Sequence, residues 1–313
     1  IVICFTFSNL SAQEEISDVK KWVEYLSDDD KMGRQNGSEE MKTVSNWIKD
    51  RYMDLDLQPF IDDSYFQDFT YTRRTEINER NVIGVLNGTE TENPKYIVIS
   101  AHYDHIGIRS GQPDSICNGA DDNATGISAM LSVAKYFSDN SLSPKHSIVF
   151  ASFSGEENGL RGSRHFCNNL SVDTSSIILN INFEMLGRPE GLGKQKYYIT
   201  GIEYTNLYDI LRGYNLDKDW KVENIGEMNK MLFRMSDNFP FANIRKQEGQ
   251  PGIPAHTFAM GMPRNDYLHQ PNDESKYIDF ENLEGFSEYI SELIYYLSTS
   301  DVEIRWTENF QKR

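Results

Sequence analysis

Apolar residues recur along this chain with two periods, and the alternation between them outlines the fold. At the helical period, Val19, Trp22, Val23 and Leu26 predict a helix over residues 15–27, and Met41, Val44, Trp47 and Ile48 predict another over 39–54. The intervening DDDKMGRQNGSEE is polar and turn-rich. FQDFTYT, NVIGVLNG and KYIVISAH then read as strands, and LNGTETENPK and IGIRSGQPDSICNG as loops for their Gly, Pro and Asn content. From about residue 95 strand and helix alternate: KYIVIS, the helix ATGISAMLSVAKYF, the strand HSIVFASF, a short helix near 160–168 and the strand SIILNINF. IPAHTFA is a later strand, and Leu283, Phe286, Ile290, Leu293 and Leu297 mark a last helix over 281–298. Nearly continuous apolar strands separated by helices predict an α/β fold around a buried, largely parallel sheet. No internal repeat, low-complexity tract or long linker divides residues 13–313, which read as a single domain.

Composition narrows the partners. The chain has 313 residues, 38% hydrophobic and 25% charged, ordinary for a globular protein. With 31 Lys+Arg against 48 Asp+Glu, the net charge of −17 repels phosphate backbones and argues against nucleic acid. No apolar run approaches the roughly 20 residues of a membrane-spanning helix, so no membrane partner is expected. The opening IVICFTFSNLSA, followed by QEEISD, resembles the end of a secretory signal peptide with cleavage after Ala12. Residues 1–12 are therefore expected to be a signal remnant, and the protein to be exported, periplasmic or extracellular. Without Cys4, Cys117 and Cys167 remain, and only their geometry decides whether they pair. Oligomeric state is not legible.

Chemistry concentrates in five stretches: SAHYDH, GADDNATG, SFSGEENGLRGS, INFEMLGR and DYLHQPND. Their imidazoles and carboxylates fall where apolar strands stop or helices start, and an α/β sheet gathers such residues at the carboxyl ends of its strands. His102 follows directly on KYIVISA, with Asp104 a candidate to hold its second ring nitrogen. Asp121 and Asp122 precede a helix, where one acid suffices as a cap and the other is free to face a cation. Glu156 and Glu157 form an adjacent pair that suits a division of labour, one glutamate on metal and its neighbour moving a proton. Glu184 closes the very apolar SIILNINF, a costly place for a charge without a partner. His269 lies in a late loop. Each has an ordinary structural alternative: a strand-end histidine, a helix cap, solvated acids, a surface histidine. His146 reads as exposed, and His165 and His256 as satisfied structural histidines.

Taken together, H-Y-D-H, G-A-D-D-N-A-T-G, G-E-E-N-G-L-R-G-S, N-x-x-E-M-x-G-R and H-x-P-x-D resemble metallopeptidase family twenty-eight, over about residues 16–298. This is a family of co-catalytic di-zinc aminopeptidases that also contains glutaminyl cyclases. The resemblance implies a mixed, mostly parallel sheet flanked by helices on both faces, of the zinc-exopeptidase type, and two zinc ions per chain. By position, Asp122 would bridge both ions, with His102 and Glu184 on one and Glu157 and His269 on the other. Glu156 falls on the general base and Asp104 on the acid behind the first histidine. Many members carry Asp where this chain has Glu184, and Y-L-H replaces the frequent Y-H, which leaves Tyr267 without a role. The implied activity is aminopeptidase hydrolysis of peptides with a free N-terminus. The alternatives are a glutaminyl-peptide cyclase on the same fold and a catalytically inactive, peptidase-like binding domain.

Overall fold

The computed structural model describes residues 16–111, 113–244, 252–262 and 266–311, so the expected signal segment lies outside the described residues. The predicted N-terminal helices form as α1 (Asp18–Leu26) and α2 (Glu39–Asp54). Ser17 and Ser38 cap them, each accepting a backbone N–H of the first turn. The strands are β1 (Gln58–Pro59), β2 (Phe66–Thr72), β3 (Glu76–Leu86), β4 (Tyr96–His102), β5 (Gly107–Ile108) and β6 (Ile116–Cys117). They continue as β7 (Ser147–Phe153), β8 (Ile177–Glu184), β9 (Lys196–Ile199), β10 (Lys221–Glu223) and β11 (Ala255–Ala259). The remaining α-helices are α3 (Thr125–Asp139), α4 (Arg161–Asn168), α5 (Leu207–Tyr214), α6 (Met228–Leu232), α7 (Asn238–Ala242), α8 (Phe280–Thr299) and α9 (Glu308–Gln311).

Nine of these strands make one sheet in the order β1-β3-β7-β4-β8-β11-β9-β10, with β2 added on β3. Its centre, β7-β4-β8-β11, is parallel, while β3 runs antiparallel to β7 and β9 antiparallel to β11. Side-chain alternation along β4 explains the two helical layers. Ile97, Ile99 and Ala101 join a core built with α1, α2, α3 and α8. Val98 faces the other way, into a core with Phe153, Phe166 of α4 and Phe241 of α7. The sheet is thus mixed, mostly parallel at its centre, and covered on both faces.

The segment read as a loop after β4 contains a small hairpin, β5 paired with β6. Both pieces are two residues long, too short to leave a periodic signal. The strand β8 carries two fully buried asparagines within its apolar run. Asn180 donates to Ser100 Oγ (2.9 Å), Ser100 donates to Asn182 Oδ1 (3.0 Å), and Asn182 donates to Ser236 Oγ (2.8 Å). Cys117 and Cys167 are buried free thiols. Among the described residues no helix is long and apolar enough to cross a membrane. His146, read as exposed, is partly covered, its backbone N–H donating to Ser298 at the end of α8 (2.9 Å).

His256 on β11 is satisfied and structural. Its Nδ1–H donates to the Thr200 carbonyl at 2.6 Å, and the Thr205 hydroxyl donates to Nε2 at 2.7 Å. Burial holds its pKa down to about 4, against 6.5 for a free imidazole. Above pH 6.5 the residue is neutral folded or unfolded and contributes no pH dependence. Between pH 6.5 and 4 only the unfolded chain takes up the proton, so stability falls with falling pH, by about 3 kcal/mol in all. Urea unfolding of wild type and His256→Gln should therefore diverge in pH dependence across that window. Parallel curves would assign the acid limb to other groups.

Candidate active site

Because β7, β4, β8 and β11 are parallel neighbours, their carboxyl ends open onto one edge, where an α/β sheet collects ligand-binding residues. His102 is the last residue of β4 and Glu184 the last of β8. Glu156 and Glu157 occupy the turn after β7, Asp122 lies in the irregular turn Ala120–Ala124 that leads into α3, and His269 comes from the connection between β11 and α8. All seven residues to which the resemblance gives a role meet at this edge.

The chain fixes these side chains largely through main-chain contacts. Gly119 has φ +60°, and a Cβ there would lie 2.2 Å from the Asp122 carbonyl oxygen, so the turn tolerates only glycine at that position. The Asp273 carboxylate accepts the backbone N–H groups of Asp121 (2.9 Å) and Asp122 (3.0 Å). Asp121 does not cap α3. Its Oδ1 accepts Gly187 N–H at 2.7 Å and ties the turn to the segment after Glu184, while Asn123 Oδ1 accepts from Gly126 at 3.1 Å. Asp104 works on two sides. Its backbone carbonyl is 3.1 Å from His102 Nδ1 and fixes that tautomer, leaving Nε2 as a free lone pair. Its carboxylate is 3.8 Å from Nδ1 and instead accepts the N–H groups of Glu156 (3.1 Å) and Glu157 (3.3 Å). Ser236 donates to Glu184 Oε2 and is itself held by Asn182.

Two groups of donors share Asp122. His102, Asp122 and Glu184 each present one ligand atom within 4.8 Å of the others, and so do His105, Asp122 and Glu157. The longer Glu184 therefore reaches the first group. His102 Nε2 lies 3.3 Å from Asp122 Oδ1. On the other side, His269 Nε2 is 3.4 Å from Asp122 Oδ2 and 3.0 Å from Glu157 Oε1. Zinc with ligands near 2.0–2.1 Å in a tetrahedron holds its donors about 3.3 Å apart. Three of the atoms, His102 Nε2, His105 Nδ1 and Glu157 Oε1, are buried without a hydrogen-bond partner. Imidazole and carboxylate donors at that spacing, left unsatisfied by protein, fit divalent zinc-like metal. Glu156 belongs to neither group.

Electrostatics divides the carboxylates. Burial alone would raise the Asp122 pKa, but His105, His102 and His269 hold it well below the usual carboxylate range. Glu156 moves the other way. Desolvation, reinforced by Glu184, Asp237 and Glu157, pushes it well above that range, with His102 opposing. A cavity of about 430 Å³ opens on the cluster. Asp122, Glu156, Glu157 and Glu184 form its acidic wall, and Met185, Tyr198, Leu232, Met235 and Ala259 supply an apolar one.

Residues 81–294 match the family model described as peptidase family M28. The chain belongs to this family. Among curated relatives, aminopeptidase YwaD of Bacillus subtilis is 26% identical over 229 residues, which cover 71% of this chain and 45% of that protein. The chain spans less than half the length of the curated relatives it matches. A zinc aminopeptidase from Bacillus subtilis superposes with TM-score 0.68 at 16% identity, covering 91% of this chain and 96% of that one. A glutaminyl cyclase from Porphyromonas gingivalis superposes with TM-score 0.62 at 16% identity, covering 88% and 96%. At these identities the structural likeness is one of fold.

Four residues at the edge carried no assignment from sequence. His105 stands in the H-Y-D-H stretch, three residues after His102, and that spacing past a strand end was its one signal. Asp273 is the last acid of H-x-P-x-D. Arg34 left no signal, since a lone arginine in a polar turn is an ordinary surface residue, and Ser236, in the stretch SDNFPF that resembles the family's segment before the last histidine, was given no role of its own.

Proposed function

We propose that this chain is a zinc-dependent aminopeptidase, with two zinc ions held by His102, Asp122 and Glu184 on one side and by Asp122, Glu157 and His269 on the other. The observation that carries the reading is a glutamate, Glu156, beside two donor groups that share one aspartate but in neither of them. Bound there, the metal ions supply Lewis-acid polarisation of the scissile carbonyl and acidify the attacking water. Glu156 takes the proton of that water on its carboxylate. Desolvation and the neighbouring Glu184, Asp237 and Glu157 raise its proton affinity, which strengthens it as a base. Asp104 fixes the turn that presents Glu156 and Glu157 by accepting both of their backbone N–H groups. The acidic wall attracts the free α-ammonium group of the substrate, and the apolar wall of the 430 Å³ cavity receives an apolar side chain. Export, suggested by IVICFTFSNLSA, belongs to the same proposal.

One assay panel separates this reading from its rivals. Zinc-loaded protein should release the dye from aminoacyl anilides and leave N-blocked peptides intact. Cleavage of N-blocked peptides alone would sink the aminopeptidase reading. Cyclisation of N-terminal glutaminyl peptides without anilide hydrolysis would favour the cyclase, and no turnover of any substrate the binding domain.

A further inference from the structure

We propose that His105 is a ligand of the second metal position, so that two imidazoles reach it together with Asp122 and Glu157. This rests on the two-metal reading above and adds a residue to it. His105 Nδ1 lies 3.0 Å from Glu157 Oε1 and 3.6 Å from Asp122 Oδ2, and these three residues compose the second donor group. His269 Nε2, at 3.0 and 3.4 Å from the same two oxygens, stands beside this three-residue group, and all four imidazole–carboxylate separations lie near a tetrahedral edge.

The bland alternative is a structural ion pair between a protonated His105 and Glu157. Such a pair aligns an N–H with a carboxylate oxygen. Here the ring is buried and neither nitrogen makes a hydrogen bond, although Glu157 Oε1 is within reach. A buried polar group without a partner is costly, and this ring carries two. A cation accepting the Nδ1 lone pair, between the two carboxylates and out of line with either, removes one of those deficits. The ring is also held in place. The His105 backbone N–H donates to the Arg34 carbonyl at 3.1 Å, and a Cβ on Gly119 would meet the ring at 2.7 Å. His269 differs: its side chain is 44% exposed. The rigid imidazole therefore defines the metal position and the accessible one completes it.

Zinc content and Co²⁺ absorption test this on purified full chain, stripped with chelator, reloaded and dialysed. Wild type should retain two metal ions per chain. His105→Ala should retain one, its second ion weakened by at least about a hundredfold, beyond the 10–100-fold typical of losing a supporting contact to a ligand. The Co²⁺ spectrum should lose the component of the second ion and keep that of the first. His105→Asn, which preserves bulk, guards against a folding defect, with circular dichroism of the metal-free form as control. Two ions bound by either folded variant with wild-type affinity would overturn the role of His105 and leave the two-metal reading intact. A single ion in wild type would overturn that reading itself.

Discussion

Glu156→Gln is expected to lower kcat on an aminoacyl anilide by about three orders of magnitude, within the 10²–10⁴ that a positioned general base contributes, while zinc content stays at the wild-type value. Gln matches Glu in size but cannot accept the proton of the attacking water. Glu156 is absent from both donor groups, so its loss removes no ligand. Its place in the fold is secured by the backbone N–H that Asp104 accepts, which the substitution leaves untouched. Because Glu184, Asp237 and Glu157 crowd the same region, removing one acid also relieves repulsion, and the metal-free variant should unfold no earlier than wild type. Parallel measurement of kcat, metal content and Tm distinguishes this from a general loss of the site. A variant with near-normal kcat would remove Glu156 from the mechanism.

Arg34→Met is expected to destabilise the protein by about 3–5 kcal/mol, from several buried carbonyls left without their charged donor, and to reduce activity with it. Arg34 is fully buried and pairs with carbonyls rather than with a carboxylate. Its guanidinium donates to Leu26 (2.6 Å), Tyr103 (2.8 Å), Asn118 (2.6 Å), Gly119 (2.8 Å) and Asp122 (3.4 Å). It thereby fastens the end of α1 to the turn that carries Asp122 and to the segment that carries His102 and His105. Burial lowers its pKa to about 10, with Asp122, Asp273, Asp104 and Glu157 opposing the fall, so it stays charged and tempers the acidic edge. The approach is close enough that Gly33, at φ +64°, would place a Cβ 2.3 Å from the Cys117 carbonyl oxygen. For a chain of this length, calorimetry should read a fall in Tm of roughly 5–10 °C. Arg34→Lys should recover only part of it, because one ammonium lacks the planar fork that spans these carbonyls. An Arg34→Met variant with wild-type Tm and activity would show that the turn holds itself.

The elements and the site were not equally legible. The runs KYIVIS, HSIVFASF and SIILNINF are apolar throughout because they end up between two helical layers, and burial on both faces is a local, readable property. The last helix was legible for a similar reason, since Leu283, Phe286, Ile290, Leu293 and Leu297 line one face. The pieces β9, β10 and α5 went unread. They lie at and beyond the sheet edge, where short length and mixed polarity leave little period. At the site, strand-end position pointed to His102 and Glu184, and the resemblance implied that both face one metal, with Glu157 and His269 on another. Asp104 was expected behind His102 through its carboxylate, whereas it is the main-chain carbonyl that contacts the ring.

The sequence by itself determined that this is an α/β domain whose metal-capable side chains gather at strand ends, because hydrophobic period and strand termination are written in neighbouring residues. Tertiary structure alone decided which imidazoles and carboxylates converge. Arg34 and Asp273 act from 88 and 151 positions away from Asp122, through contacts to its turn. His105 enters the second donor group because the chain turns back past Gly119. Distances of about 3 Å between groups so far apart in the chain depend on loop conformation, and no local pattern of polarity encodes them.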